Sequence, residues 1–193
     1  CRQSSDREMR QLNLLPIDFD VSRLVSDIQR QPTLWNRYPF RNSQPGGPHE
    51  DIDDIWIRYN DFSKFSDDRV AFNEKHESTW YPEYFQLPKL RPIIFQLMAF
   101  VEGEHLGGIL ITRIPPRKGC LPHKDGGWHA SYYDKYIVQL ESTEGQSFNF
   151  DGESLSAKPG QVYWFDNSKT HWVVNDSGQD RMSLIICIRS DRR

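Results

Sequence analysis

Two histidines and an aspartate carry the first chemical signal: His123-Lys124-Asp125, then His171. Two imidazoles and one carboxylate can occupy one face of a ferrous ion and leave its other positions open, the ligand set of non-haem Fe(II) oxygenases. Residues i and i+2 of an extended segment project to the same side, so His123 and Asp125 can reach one ion while Lys124 points away. His171 must then return on a neighbouring strand. Arg181-Met182-Ser183 begins ten residues after His171 and places Arg181 and Ser183 on one face of an otherwise apolar strand. A guanidinium buried there is costly without an anion. A bidentate bridge to the distal carboxylate of 2-oxoglutarate meets that need, and Ser183 adds a hydroxyl. A single carboxylate leaves residual positive charge at the iron, which suits a chelating 2-oxoacid, with a further position for O2. An H-x-D tripeptide alone is weak evidence; the distal His of FDNSKTH followed by Arg-x-Ser makes the set more specific. Zinc accepts the same ligand types, but no HExxH or comparable general base accompanies them, and the Arg-x-Ser pair would have no task in hydrolysis.

The elements that must position these residues are mostly strands. From Gly107 onward GGILITRI, KYIVQLE, QSFNF, QVYWFD, THWVV and RMSLIICIR are short and rich in β-branched and aromatic residues, separated by turn sequences such as PPRKG, STEG, DGES and KPG. Six or more such strands imply a sandwich or barrel. Upstream the pattern is mixed. Residues 1–16 are polar and expected to be loosely ordered. A helix begins at Asp18 or Asp20 and runs to about Gln31, with Val21, Leu24, Val25 and Ile28 at helical spacing. Residues 41–50 form a Pro/Gly-rich loop, and Ile55, Ile57 and Tyr59 alternate with Trp56, Arg58 and Asn60 as in a strand. Residues 63–87 are expected to be irregular, and a helix is expected from Pro88 to Val101, ended by Gly103.

Bulk properties narrow the function class. With 24 basic and 27 acidic residues the chain has no basic field for holding nucleic acid, so no nucleic-acid partner is expected. No apolar run approaches a membrane span. Cys1, Cys120 and Cys187 are odd in number and widely spaced, against a disulfide framework. A reducing, cytoplasmic setting follows as the expectation, no signal peptide being visible. The length fits one domain over 1–193, with a mixed helical part (1–104) supporting a barrel core (105–193) that holds the metal site.

The stretches LPHKDGGWH, KYIVQLE, KPGQVYWFDNSKTHWVVN and DRMSLIICI resemble the aspartyl/asparaginyl β-hydroxylase-like branch of Fe(II)- and 2-oxoglutarate-dependent oxygenases over roughly residues 105–190. The resemblance implies a mainly β fold with flanking helices, a double-stranded β-helix of jelly-roll or cupin-like form with the metal at its open end. It implies decarboxylation of 2-oxoglutarate to succinate coupled to hydroxylation of a substrate C–H bond. His123 and His171 match the metal histidines and Arg181 the arginine that binds 2-oxoglutarate. The resemblance also implies a basic residue on the next strand that helps to hold the co-substrate; Lys135 and Tyr136 both fall near that position. Some members of the branch carry Gly where this chain has Asp125, which gives it the full triad of the wider superfamily.

The expected substrate is an amino-acid side chain, in a protein, a peptide or free. Trp128, His129, Tyr132 and the neighbouring Tyr133 follow the ligand loop and are candidates for the substrate entrance, or for packing on the barrel edge. Arg58 is a candidate for a substrate carboxylate. Asp166 and Asn175 could orient His171 or cap turns. His49, His76 and His105 read as surface or loop residues, Trp164 and Trp172 as barrel packing, and the acidic run Glu50–Asp54 as a solvated face. The alternatives in other classes are a cupin-like binding or sensor module without turnover and a metal-dependent hydrolase or isomerase on the same barrel.

Overall fold

The computed structural model describes residues 11–65 and 68–190. Its strands are β1 (Leu12–Asp18), β2 (Asp53–Tyr59), β3 (Thr79–Trp80), β4 (His105–Ile114), β5 (Gly119–His123), β6 (Asp134–Glu141), β7 (Gln146–Phe150), β8 (Glu153–Leu155), β9 (Gln161–Phe165), β10 (His171–Asn175) and β11 (Arg181–Arg189). The helices are α1 (Ser22–Gln29), α2 (Phe62–Phe65), α3 (Arg69–Asn73), α4 (Pro82–Gln86), α5 (Leu90–Phe100) and α6 (Gly127–Tyr132), with a 3-10 turn at Pro32–Leu34. A seven-stranded sheet in the order β1-β9-β6-β11-β4-β2-β3 faces a four-stranded sheet in the order β5-β10-β7-β8. The recorded pairings are all antiparallel. The fold is a double-stranded β-helix with flanking helices.

Strand alternation sorts side chains into two layers. On β6, Tyr136, Val138 and Leu140 join the core between the large sheet and the helices, whereas Lys135 and Ile137 line the barrel interior. On β11, Met182, Leu184 and Ile186 take the helix side, and Arg181, Ser183 and Ile185 the interior. Helix α5 covers the outer face with Leu90, Ile93, Ile94 and Leu97 at helical spacing, beside Leu24 and Ile28 of α1. Pro92 falls in the first turn of α5, where a missing N–H is tolerated. The Gly103 N–H donates to Met98 O at 2.8 Å, closing the helix.

Several local expectations are corrected. Residues 12–18 are not loose but pair with β9, while residues 1–10 lie outside the described residues. Neither Asp18 nor Asp20 caps α1: Val21 holds the N-cap position without a side-chain bond, Asp20 accepts from the Ser22 N–H at 3.0 Å in the turn before it, and the helix ends at Gln29. Residues 63–87 hold helices α3 and α4, part of α2 and the short β3 rather than irregular chain. Strands β5 and β8 and helix α6 lack a strong local pattern and were not anticipated. The segment before residue 105 contributes β1, β2 and β3 to the large sheet, so it builds the barrel wall as well as its cover. No helix among the described residues is long and apolar enough to cross a membrane.

Candidate functional site

His123 ends β5 and His171 begins β10, and the two are register partners across the small sheet. Each imidazole Nδ1 lies against the carbonyl two residues back, His123 on Leu121 O at 2.8 Å and His171 on Lys169 O at 2.9 Å. With Nδ1 donating to a carbonyl, each ring turns its Nε2 toward Asp125, the arrangement that orients a metal-binding histidine. Both Nε2 atoms face Asp125, at 3.5 Å from Oδ1 and 3.8 Å from Oδ2. The Asp125 N–H donates to Asn167 O at 3.0 Å, tying the loop after β5 to the turn before β10. The potential ligand atoms of His123, Asp125 and His171 all lie within 4.8 Å of one another. Phe148 stacks on His171 at 5.6 Å and Phe165 meets it edge-on at 5.0 Å, so the ring is clamped and only 4% of the residue is exposed.

Lys135 Nζ contacts Asp125 Oδ2 at 2.6 Å. Burial alone would raise the Asp125 pKa, but Lys135 and His123 override it and hold the carboxyl far below its usual range. Burial likewise works to lower the His123 pKa, yet bonding to Asp125 and Cys120 carries it up to about 10. For His171 burial prevails and the pKa falls. The metal-free site is thus an anionic carboxylate flanked by Lys135 and a protonated His123, ready to exchange that proton for a cation.

Arg181 projects into the same cavity and is 4% exposed. Its Nη1 donates to Ser183 Oγ at 2.9 Å, and Nη2 to Gln139 Oε1 at 2.8 Å and Tyr163 Oη at 3.0 Å. These partners are neutral, and among the described residues no carboxylate pairs with the guanidinium. The residues therefore fit the group they were expected to hold: a buried cation lacking a counter-ion, in one cavity with a His/Asp/His set. Sequence reasoning missed Gln139 and Tyr163, both fully buried, because neither sits in a motif and only strand register brings them to Arg181.

The paired candidates Lys135 and Tyr136 are separated by the alternation of β6. Lys135 lines the cavity, while Tyr136 packs in the helix-side core and is corrected as a co-substrate contact.

An outer cavity of about 350 Å³ adjoins the metal set, and Arg41, His49, Asp125, Lys135 and Ile185 line both spaces. His129 lines the outer cavity, with its Nε2 accepting from the Gly108 N–H at 3.0 Å. Burial lowers the His129 pKa to about 3, so the ring is neutral. It is no metal ligand of the recognised set. Trp128 and Tyr132 do not line the cavity; they stack on each other at 5.3 Å, with Arg189 over Tyr132 at 4.2 Å. Arg58 also lies elsewhere, donating to Leu106 O at 3.3 Å beneath Trp80.

His49 is corrected from a surface residue to a cavity wall, its ring 4.7 Å from that of His123. His76 is half-buried and stacked on His129 at 6.0 Å. The acidic run is not uniformly solvated: Asp54 is 2% exposed, 3.5 Å from Arg41, with no hydrogen bond to either oxygen. Asp166 caps its own turn through the Ser168 N–H at 3.1 Å. Asn175 donates to Ile114 O and Pro115 O at 3.0 Å, bridging loops rather than orienting His171.

A His/Asp/His group and a buried arginine in one cavity of a double-stranded β-helix define a candidate oxygenase centre. The family model for aspartyl/asparaginyl beta-hydroxylase matches residues 22–190, and the chain belongs to that family of hydroxylases. Similar solved structures include an oxidoreductase of the 2OG-Fe(II) oxygenase family from Burkholderia pseudomallei. It is 17% identical with a TM-score of 0.58, over 95% of this chain and 89% of that one. The viral collagen prolyl hydroxylase of Paramecium Bursaria Chlorella virus-1 is 11% identical with a TM-score of 0.55, over 94% and 97%. A Pseudomonas putida prolyl-4-hydroxylase is 14% identical with a TM-score of 0.53, over 94% and 93%. At these identities the likeness is one of fold. No curated protein matches the chain significantly.

Proposed function

We propose that the protein is an Fe(II)- and 2-oxoglutarate-dependent dioxygenase that hydroxylates a C–H bond of an amino-acid side chain, in a peptide, a protein or a free amino acid. The observation that carries this reading is the buried, counter-ion-free Arg181 in one cavity with the His123, Asp125 and His171 set. In this reading His123, Asp125 and His171 hold the iron. Arg181 binds the distal carboxylate of 2-oxoglutarate, and Ser183, Gln139 and Tyr163 hold the guanidinium in place. Bound iron would supply the activation of O2, the oxidant: one oxygen atom would enter the succinate formed with CO2 from 2-oxoglutarate, and the other the substrate C–H bond.

Each residue has a separate task. The carbonyls of Leu121 and Lys169 fix the tautomers, so both rings present Nε2 without rotating. Lys135 balances the Asp125 charge and stands at the passage to the outer cavity, at the side where a co-substrate would meet substrate. Phe148 and Phe165 exclude water behind His171. The outer cavity takes the substrate side chain against His129, Trp56 and Tyr59, with Arg41 at its neck. A peptide substrate is consistent with the prolyl hydroxylases of shared fold. The test is incubation with Fe(II), 2-oxoglutarate and air against a panel of free amino acids and peptides. Succinate should form in step with one substrate gaining one oxygen atom. Consumption of no 2-oxoglutarate across the panel, with hydrolysis of any component, would replace this reading with the hydrolase.

A further inference from the structure

Two further potential ligands crowd His123. Cys120 Sγ lies 3.7 Å from His123 Nδ1, and the His49 ring stands nearly perpendicular to that of His123 at 4.7 Å. The potential ligand atoms of His49, Cys120 and His123 all fall within 4.8 Å of one another, as closely as the His/Asp/His set. All three side chains line the inner cavity. Cys120 and His123 are fixed by β5, and the loop carrying His49 is pinned to the same strand by the Leu121 N–H, which donates to Pro48 O at 3.1 Å. Cys120 is a free thiol. Packing against its apolar neighbours would account for a small buried residue but not for two imidazoles converging on its sulfur.

We propose that His49, Cys120 and His123 form a second metal seat, selective for soft ions such as Zn(II), Cd(II) or Cu(I), that overlaps the iron set through His123. Ligand softness drives the selectivity: a thiolate with two imidazoles favours these ions, whereas two imidazoles with a carboxylate suit Fe(II). Loading releases the thiol proton and the extra proton held by His123 to solvent, with no change of oxidation state. An ion drawn to the Cys120 side of His123 must displace the Nδ1 contact to Leu121 O that aims Nε2 at Asp125, so soft metals compete with iron loading.

The test is titration of the metal-free, reduced protein with Cd(II), following the ultraviolet thiolate-to-metal charge-transfer absorption. One equivalent should develop the band. The band should persist in Asp125→Ala, which dismantles the iron set only. It should vanish in Cys120→Ser, and His49→Ala, a change in a half-buried loop residue, should weaken Cd(II) binding by about tenfold or more. No band in the native protein, a band undiminished in Cys120→Ser, or unchanged affinity in His49→Ala each overturns the proposal. None of these outcomes bears on whether iron and 2-oxoglutarate bind at the other set.

Discussion

The residue that separates an oxygenase from a generic metal barrel is Arg181. Its charge is buried among three neutral partners, and a bidentate carboxylate is the ligand that compensates it. Arg181→Ala should raise KM for 2-oxoglutarate by about 10- to 100-fold, the size of a charged hydrogen-bonded contact. The contact exists equally before and during chemistry, so kcat should change much less. Arg181→Lys should recover little, because an ammonium cannot reproduce the fork that bridges Ser183 and Gln139. Steady-state kinetics varying 2-oxoglutarate reads both; an unchanged KM in Arg181→Ala would remove the residue from this role. Arg181 was visible in the sequence because an arginine in an apolar strand is anomalous on its face. His49, Gln139, Tyr163 and Asp54 were not, since their environments come from chain segments far away in sequence.

At the scale of elements, β5 and β10 are the pair that assembles the metal set, and their spacing leaves no room at Gly119. A Cβ there would lie 2.7 Å from Val173 O, a backbone atom that cannot swing aside. Gly119→Ala should cost about 1–3 kcal/mol and weaken metal binding with it, because His123 and His171 ride on this pair. Gly126→Ala, in the same loop region with nothing within 4 Å of its Cβ, should leave both melting temperature and metal affinity nearly unchanged. Equal melting temperatures for the two variants would contradict this account of the close approach. The regular strands β4, β6, β9, β10 and β11 were legible because β-branched and aromatic runs stood between clear turns. Strand β5, GCLPH, was not: Gly and Pro obscure it, and only pairing with β10 makes it a strand. The register of β6, which decides between Lys135 and Tyr136, was likewise settled by its neighbours rather than by local pattern.

At the scale of the molecule, the outer cavity is walled jointly by the segment before residue 105 and by the barrel with its 125–135 stretch, and the inner one chiefly by the barrel, with Arg41 lining both and Asp54 beside Arg41. Burial raises the Asp54 pKa to about 6 against the opposing pull of Arg41. A carboxyl that holds its proton more tightly when folded contributes stability at low pH and loses it as pH rises through about 6. Asp54→Asn should remove this slope. The difference between native and variant unfolding free energies should grow between about pH 4 and pH 7, by about 3 kcal/mol at most. Denaturant unfolding across that range measures it, and parallel profiles would show that Asp54 does not titrate there. The central claim, that one cavity takes iron and 2-oxoglutarate together, is tested most directly by anaerobic addition of Fe(II) and then 2-oxoglutarate to the purified protein, recording visible absorption. A metal-to-ligand charge-transfer band that requires both components, is lost in His171→Ala and bleaches on admitting air is the expected result. Absence of the band with tight retention of zinc would contradict the account.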